Sequence, residues 1–158
     1  MLYKLKGITL VETLVYLALF GIIFTVMVEF SISIAQANRA AELRQHIERA
    51  KTFIIEHIDN SFLDTNSFDL NNSVFNNDQG KVRLNNLGYF EYYIENGVLK
   101  FNNTGTVYNI TNTKVRIDRF YLEQAQVKTD TVGMRMTLQV SSIEGSESET
   151  IKTLFIIR

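Results

Sequence analysis

The stretch KGITLVETLVYLALFGII, residues 6–23, decides how this chain is built. It is apolar almost throughout, yet it keeps one glutamate, Glu12, near its start. A carboxylate inside a bilayer costs about 2.5–3.5 kcal/mol on insertion scales, so its presence asks for a reason. Apolar character runs from Ile8 to Phe30, interrupted only by Glu12, Glu29 and a few hydroxyls. As a helix rising 1.5 Å per residue this run spans about 34 Å, enough to cross the hydrocarbon of a membrane. Lys4 and Lys6 precede it and a large polar segment comes after it, which by the positive-inside rule places Met1 in the cytoplasm and the bulk of the chain outside. An ordinary secretory signal has an apolar core of about 7–15 residues before a small-residue cleavage site. FSISIAQA, residues 30–37, offers such a site, but the run before it is longer than that core. The expectation is a single span with the N-terminus inside.

No helix breaker separates the span from the next thirty or so residues. Leu43, Ile47, Ala50, Ile54 and Ile58 recur at spacings of three and four, one apolar stripe along a helix that faces a partner surface. Arg39, Arg44, Glu48, Arg49, Lys51 and Glu56 fall mostly on other faces. One helix from about Ile8 to Ile58 would be about 75 Å long, lipid-embedded in its first half and amphipathic in its second.

After Asp59 the composition shifts to Asn, Asp and Ser through Lys81, with Phe62, Phe68, Leu70 and Phe75 tacking a long connecting loop onto the rest. Strand signals begin with YFEYYIE (89–95) and VLKF (98–101), joined by Asn96-Gly97, a dipeptide that tolerates the positive φ of a two-residue hairpin turn. TVYNIT (106–111) comes after another Asn/Gly turn. KVRIDRFYLEQ (114–124) changes register between Val115, Ile117 and Phe120, Leu122, which predicts a bulge near Asp118. Val132, Met134, Met136, Leu138 and Val140 alternate strictly with Gly, Arg, Thr and Gln, as in a strand with one buried face. TIKTLFIIR (150–158) closes the sheet. The expected fold class is α+β, with an antiparallel sheet laid on the amphipathic half of a long N-terminal helix.

Composition narrows the function further. The chain has 158 residues and a formal net charge of -1, room for one domain plus an anchor and no electrostatic reason to expect nucleic acid. With no cysteine there is no disulfide, thiolate catalysis or cysteine metal site. His46 and His57 lie eleven residues apart on nearly one helix face; they read as ordinary, partly exposed side chains flanking the stripe, with a metal site or pH switch as the alternative. Asp64, Asp69 and Asp78 sit in the Asn-rich loop without the glycine-punctuated spacing of a calcium loop. Tyr89, Phe90, Tyr92 and Tyr93 read as core and cross-strand pairs, since no basic stripe accompanies them for stacking bases. No Ser/His/Asp set, phosphate loop or paired catalytic carboxylates occurs at a recognisable spacing, and the expectation is a protein that is not an enzyme and needs no cofactor or metal.

The segment KGITLVETL (6–14) resembles the class III signal of type IV pilins and of the pseudopilins of type II secretion systems: a short basic leader, a glycine, an apolar residue, and a glutamate five residues after the glycine. The resemblance implies that a prepilin peptidase cuts after Gly7 and methylates the new N-terminus at Ile8, with Lys4 and Lys6 in the leader. Physical reasoning adds a use for Glu12. Cleavage creates a charged α-amine, and when many such helices pack away from water each Glu12 can neutralise the amine of the next chain; a buried pair left half-made costs several kcal/mol. Glu12 would then set axial register, with apolar packing around Val11, Leu14, Leu17 and Ile22. The strand order in the C-terminal half is similar to the minor pseudopilins of the J type and to minor pilins that prime assembly. Ile8 replaces the commoner phenylalanine. Glu29 stands where many major pilins have proline, and the disulfide of many major pilins is missing.

What the resemblance implies is a pilin fold in four parts: a cytoplasmic leader (1–7), the transmembrane and assembly half of the helix (8–30), its amphipathic half (31–59), and an extracytoplasmic loop and sheet (60–158). The implied function is that of a minor pilin or pseudopilin in the inner membrane, later in a pilus or pseudopilus. Its partners would be other pilin or pseudopilin subunits, the prepilin peptidase and the inner-membrane assembly platform. Adhesion, motility, DNA uptake and protein secretion all use subunits of this shape. The alternative is a single-pass, membrane-tethered binding or sensor domain in which Glu12 is incidental.

Overall fold

The computed structural model describes residues 9–65, 67–128 and 131–156. Within these residues the protein is α+β: one helix, α1 (Leu10–Leu63), and then eight strands, all paired antiparallel. The pilin-like layout of a long N-terminal helix and antiparallel strand pairing after it is therefore present. The chain divides into two compact units, one ending at Ala41 and the other starting at Glu42.

In the first unit α1 begins at Leu10 and continues unbroken through Gly21. Every side chain from Thr9 to Arg39 is exposed. The helix is long and apolar enough to cross a membrane. Two of its hydroxyls are satisfied within the helix, Thr25 donating to the Gly21 carbonyl at 2.9 Å and Ser31 to that of Met27 at 2.8 Å, which suits a medium that offers no water.

In the second unit the rest of α1 lies against the strands. Ile47, Ala50, Ile54 and Ile58 are buried as the stripe predicts. Leu43, the first member of the stripe, is only half-buried. The helix runs past Asp59, the expected end, to Leu63. Phe62 is the reason: it is buried, stacked on Phe155 at 5.0 Å and edge-on to Phe68 at 5.4 Å. Ser61 and Thr65 donate to the carbonyls of His57 and Ser61. Tertiary packing here outweighs the weak helix preference of Asp59 and Asn60.

The strands form two sheets where the sequence predicts one. The first contains β1 (Ser67–Phe68), β2 (Lys81–Asn85), β3 (Tyr89–Glu95), β4 (Val98–Asn103) and β5 (Thr106–Asn109) in that order. The second is β6 (Val115–Lys128), β7 (Thr131–Ser142) and β8 (Ser148–Ile156). Asn96 (φ 53°) and Gly97 (φ 75°) make the expected turn between β3 and β4. A side chain at Gly97 would collide with Arg116, whose Cγ lies 2.6 Å from where a Cβ would stand. The register of β6 on β7 shifts between Ile117 and Arg119, which places the expected bulge at Asp118. Met134, Met136, Leu138 and Val140 are all buried. The side chain of Val132, and residues 157 and 158 of the expected last strand, lie outside the described residues.

The segment 69–80, read from sequence as a plain loop, joins the two sheets. Asn76 and Gly80 donate to the carbonyls of Leu122 and Phe120, and Phe120 donates to that of Asp78, at 2.7 to 2.8 Å. Ile117 donates to the Gly97 carbonyl at 2.8 Å. The edge of β6 away from β7 is thereby covered from Ile117 to Leu122, and a single core joins α1 to both sheets through residues such as Ile54, Tyr92, Phe120 and Met136.

Candidate functional site

Lys4, Lys6, Gly7 and Ile8, the residues of the expected processing site, lie outside the described residues. Glu12 lies within them, in the first turn of α1. Thr9 precedes the helix as its N-cap: its Oγ1 accepts the Glu12 N–H at 3.3 Å and its carbonyl accepts the Thr13 N–H at 3.1 Å. Thr9-Leu10-Val11-Glu12 thus has the spacing of a capping box, with Glu12 at the third helical position, where the helix dipole favours a negative charge. One turn on, the Tyr16 hydroxyl donates to Glu12 Oε1 at 3.4 Å. This long, weak bond leaves the carboxylate exposed and largely uncommitted. Val11, Leu14, Leu17 and Ile22, the residues expected to pack laterally, are exposed on the same helix.

The second unit holds a different polar cluster, at the seam between α1 and the first sheet. Tyr92 is fully buried on β3, and its hydroxyl lies 2.7 Å from His57 Nδ1, 2.5 Å from Ser61 Oγ and 3.2 Å from the His57 carbonyl. The His57 ring packs edge-on to Phe101 at 4.7 Å and to Tyr92 at 5.7 Å. Burial pushes the Tyr92 hydroxyl well above the ordinary phenol value, and burial lowers His57 below the ordinary imidazole value. Both side chains are held neutral. The cluster ties helix to sheet, with the Ser61 and Tyr92 hydroxyls buried.

The remaining candidates are placed as structural groups. His46 lies 3.6 Å from Glu42, one turn earlier on the helix. Asp69 accepts from the Asn72 backbone and side chain, and Asp78 pairs with Arg119 at 2.6 Å. Among the described residues no group of three or more His, Asp or Glu could hold a metal ion. Tyr89 lies under the Arg83 guanidinium at 4.1 Å, and Phe90 packs on Phe101 at 5.6 Å. Two ties have no counterpart among the sequence expectations. Lys51 bridges Glu48 on its own helix and Glu149 on β8, and Glu91, though buried, is met by Lys81 and Arg83 at 3.1 Å each. Pairing across 98 residues leaves no local pattern, whereas the Thr9 to Glu12 spacing is a signal present in the sequence itself.

Compared with family models, curated proteins and solved structures, the chain matches none.

Proposed function

We propose that this chain is a minor pilin or pseudopilin: a structural subunit, without enzymatic activity, anchored by α1 with its N-terminus in the cytoplasm. A prepilin peptidase removes residues 1–7 and methylates Ile8, and the shortened chain enters a pilus or pseudopilus. The observation that carries the reading is Glu12, an exposed carboxylate in the first turn of an exposed, apolar, membrane-length helix. In a simple tether its place in the first helical turn returns about 0.3–1 kcal/mol, less than the insertion cost of about 2.5–3.5 kcal/mol, so a net cost is left. The carboxylate has a use where a neighbouring chain brings a positive charge to the same depth. The basic leader, Gly7 and the five-residue spacing to Glu12 support that neighbour being another processed subunit, and the pilin-like layout of helix and antiparallel strands is compatible with it.

In assembly, apolar helix surfaces meet laterally and each Glu12 neutralises the N-terminal amine of the adjacent chain, fixing the axial step between subunits. The test is Gly7→Val, which should leave full-length precursor in the membrane. Recovery of the shortened form from that variant would refute the cleavage site.

A further inference from the structure

We infer that the outer edge of β8 is a docking edge for an extended segment of a different protein chain, one that sets a carboxylate opposite Lys152 and β-branched apolar residues beside Leu154 and Ile156. This goes beyond the assembly role proposed for the helix and does not depend on it.

The direction of the free backbone groups is set by the β7–β8 hairpin. The Ser142 N–H donates to the Glu147 carbonyl at 2.8 Å, and the Ile143 N–H donates the other way, to Lys114 before β6. Even-numbered residues of β7 therefore turn their backbone groups toward β8. Register pairs Val140, Leu138, Met136 and Met134 with Glu149, Ile151, Thr153 and Phe155. By the alternation of an antiparallel ladder, Ser148, Thr150, Lys152, Leu154 and Ile156 turn their N–H and C=O groups away from the sheet.

Other edges are short or covered in part. β1 has two residues and β5 has four, and the free side of β6 is met from Ile117 to Leu122 by the segment 76–80 and by Gly97. β8 has nine residues, and pairs with β7 along all of them without a register shift. Proteins normally guard such an edge with proline, a bulge, a charged side chain, lysine above all, an inward-pointing charge or a covering segment. On β8 the exposed Lys152 is such a charge, which opposes a like-charged edge and admits an acidic one. The chain has no proline, and among the described residues no strand pairs with this edge. Glu149 points inward but is neutralised by Lys51. Beside the free groups lie Leu154, 46% exposed, and Ile156, 38% exposed.

A row of alternating free donors and acceptors is matched by an extended backbone, and side chains beside it select among such backbones. A second copy of β8 is a poor occupant in the register that pairs the whole edge. In full antiparallel overlap of residues 148–156, Lys152 would stand opposite Lys152, and like charges directly opposite destabilise a pair. The same lysine favours a segment that is acidic at that position.

The experiment uses the full chain in detergent micelles with 15N-labelled Thr, Lys, Leu and Ile, and reads amide hydrogen exchange. The probes are a nine-residue valine and threonine peptide with a central glutamate and the same peptide with a central lysine. The glutamate peptide should slow exchange at Thr150, Lys152, Leu154 and Ile156, and the lysine peptide should bind about fivefold more weakly. Lys152→Glu, at an exposed position, should reverse that order without unfolding the chain. The inference is overturned if exchange is unchanged, if protection falls elsewhere, if both peptides bind alike, or if the edge is already protected by self-association of the chain. None of these readouts involves Gly7 or the mature N-terminus, so processing and docking stand or fall separately.

Discussion

Tyr92→Phe removes one oxygen from the seam between α1 and the first sheet, and its effect can be worked from the geometry. The ring remains, so packing against His57 and Phe101 is preserved. What goes is the atom 2.7 Å from His57 Nδ1 and 2.5 Å from Ser61 Oγ. Ser61 keeps a partner, because its hydroxyl also donates to the His57 carbonyl at 3.1 Å. His57 Nδ1 loses the partner that the geometry gives it, in a place where burial already disfavours its charged form. A lost hydrogen bond with one buried group left poorly satisfied costs about 1–3 kcal/mol. For a unit of this size that is about 4 °C or more in the midpoint of thermal unfolding. The assay is thermal and denaturant unfolding of the full chain in detergent, monitored by circular dichroism. Ser61→Ala should cost less alone, and the double variant should fall short of the sum by about 0.5 kcal/mol or more, since the two hydroxyls share one cluster. A Tyr92→Phe variant within about 0.5 kcal/mol of the parent would place it among ordinary surface changes and refute the reading of this cluster as a structural tie.

Gly97→Ala should destabilise the second unit by about 1–2 kcal/mol, because it needs a φ of 75° and meets the Arg116 side chain; unchanged unfolding would show that the turn relaxes freely. The lowered His57 pKa means that the unfolded chain takes up its proton first. The His57 contribution is therefore complete above the ordinary value of 6.5 and is lost as pH falls below it toward the folded-state pKa. A pH series of unfolding midpoints should show this slope, and His57→Gln should flatten it. Finally, Glu12→Ala should leave the second unit folded, with unchanged circular dichroism, while reducing incorporation into filaments; incorporation at parental levels would remove the register role.

What the sequence disclosed was periodic or local. Ile47, Ala50, Ile54 and Ile58 announce a helix face because their spacing is the helical one, and Met134 to Val140 announce a strand because theirs is two. Asn96-Gly97 specifies its turn through the φ values that only such residues adopt readily. The bulge at Asp118 was visible as a slip between two apolar pairs. Hidden features depend on distant partners. The helix continues past Asp59 because Phe62 finds Phe155, and β2 is masked by its Asn-rich neighbourhood although Val82 and Leu84 alternate into the core. Division into two sheets is decided by which strand edges meet, above all by 76–80 lying along β6, and no window of sequence contains both sides of that contact. At the candidate site, the apolar run and Glu12 were plain from the start. The Thr9 cap became evident from the backbone geometry, and the tie of His57 to Tyr92 joins residues 35 apart.

The role proposed for α1 turns on what happens to the N-terminus. Intact mass and N-terminal sequence of the protein recovered from its native membrane test it directly. A chain that begins at Ile8 and carries one methyl group on its amine is the predicted result. A chain that begins at Met1 or Leu2 would contradict it, leaving Glu12 as a net cost of insertion and α1 as a plain tether for the strands it carries.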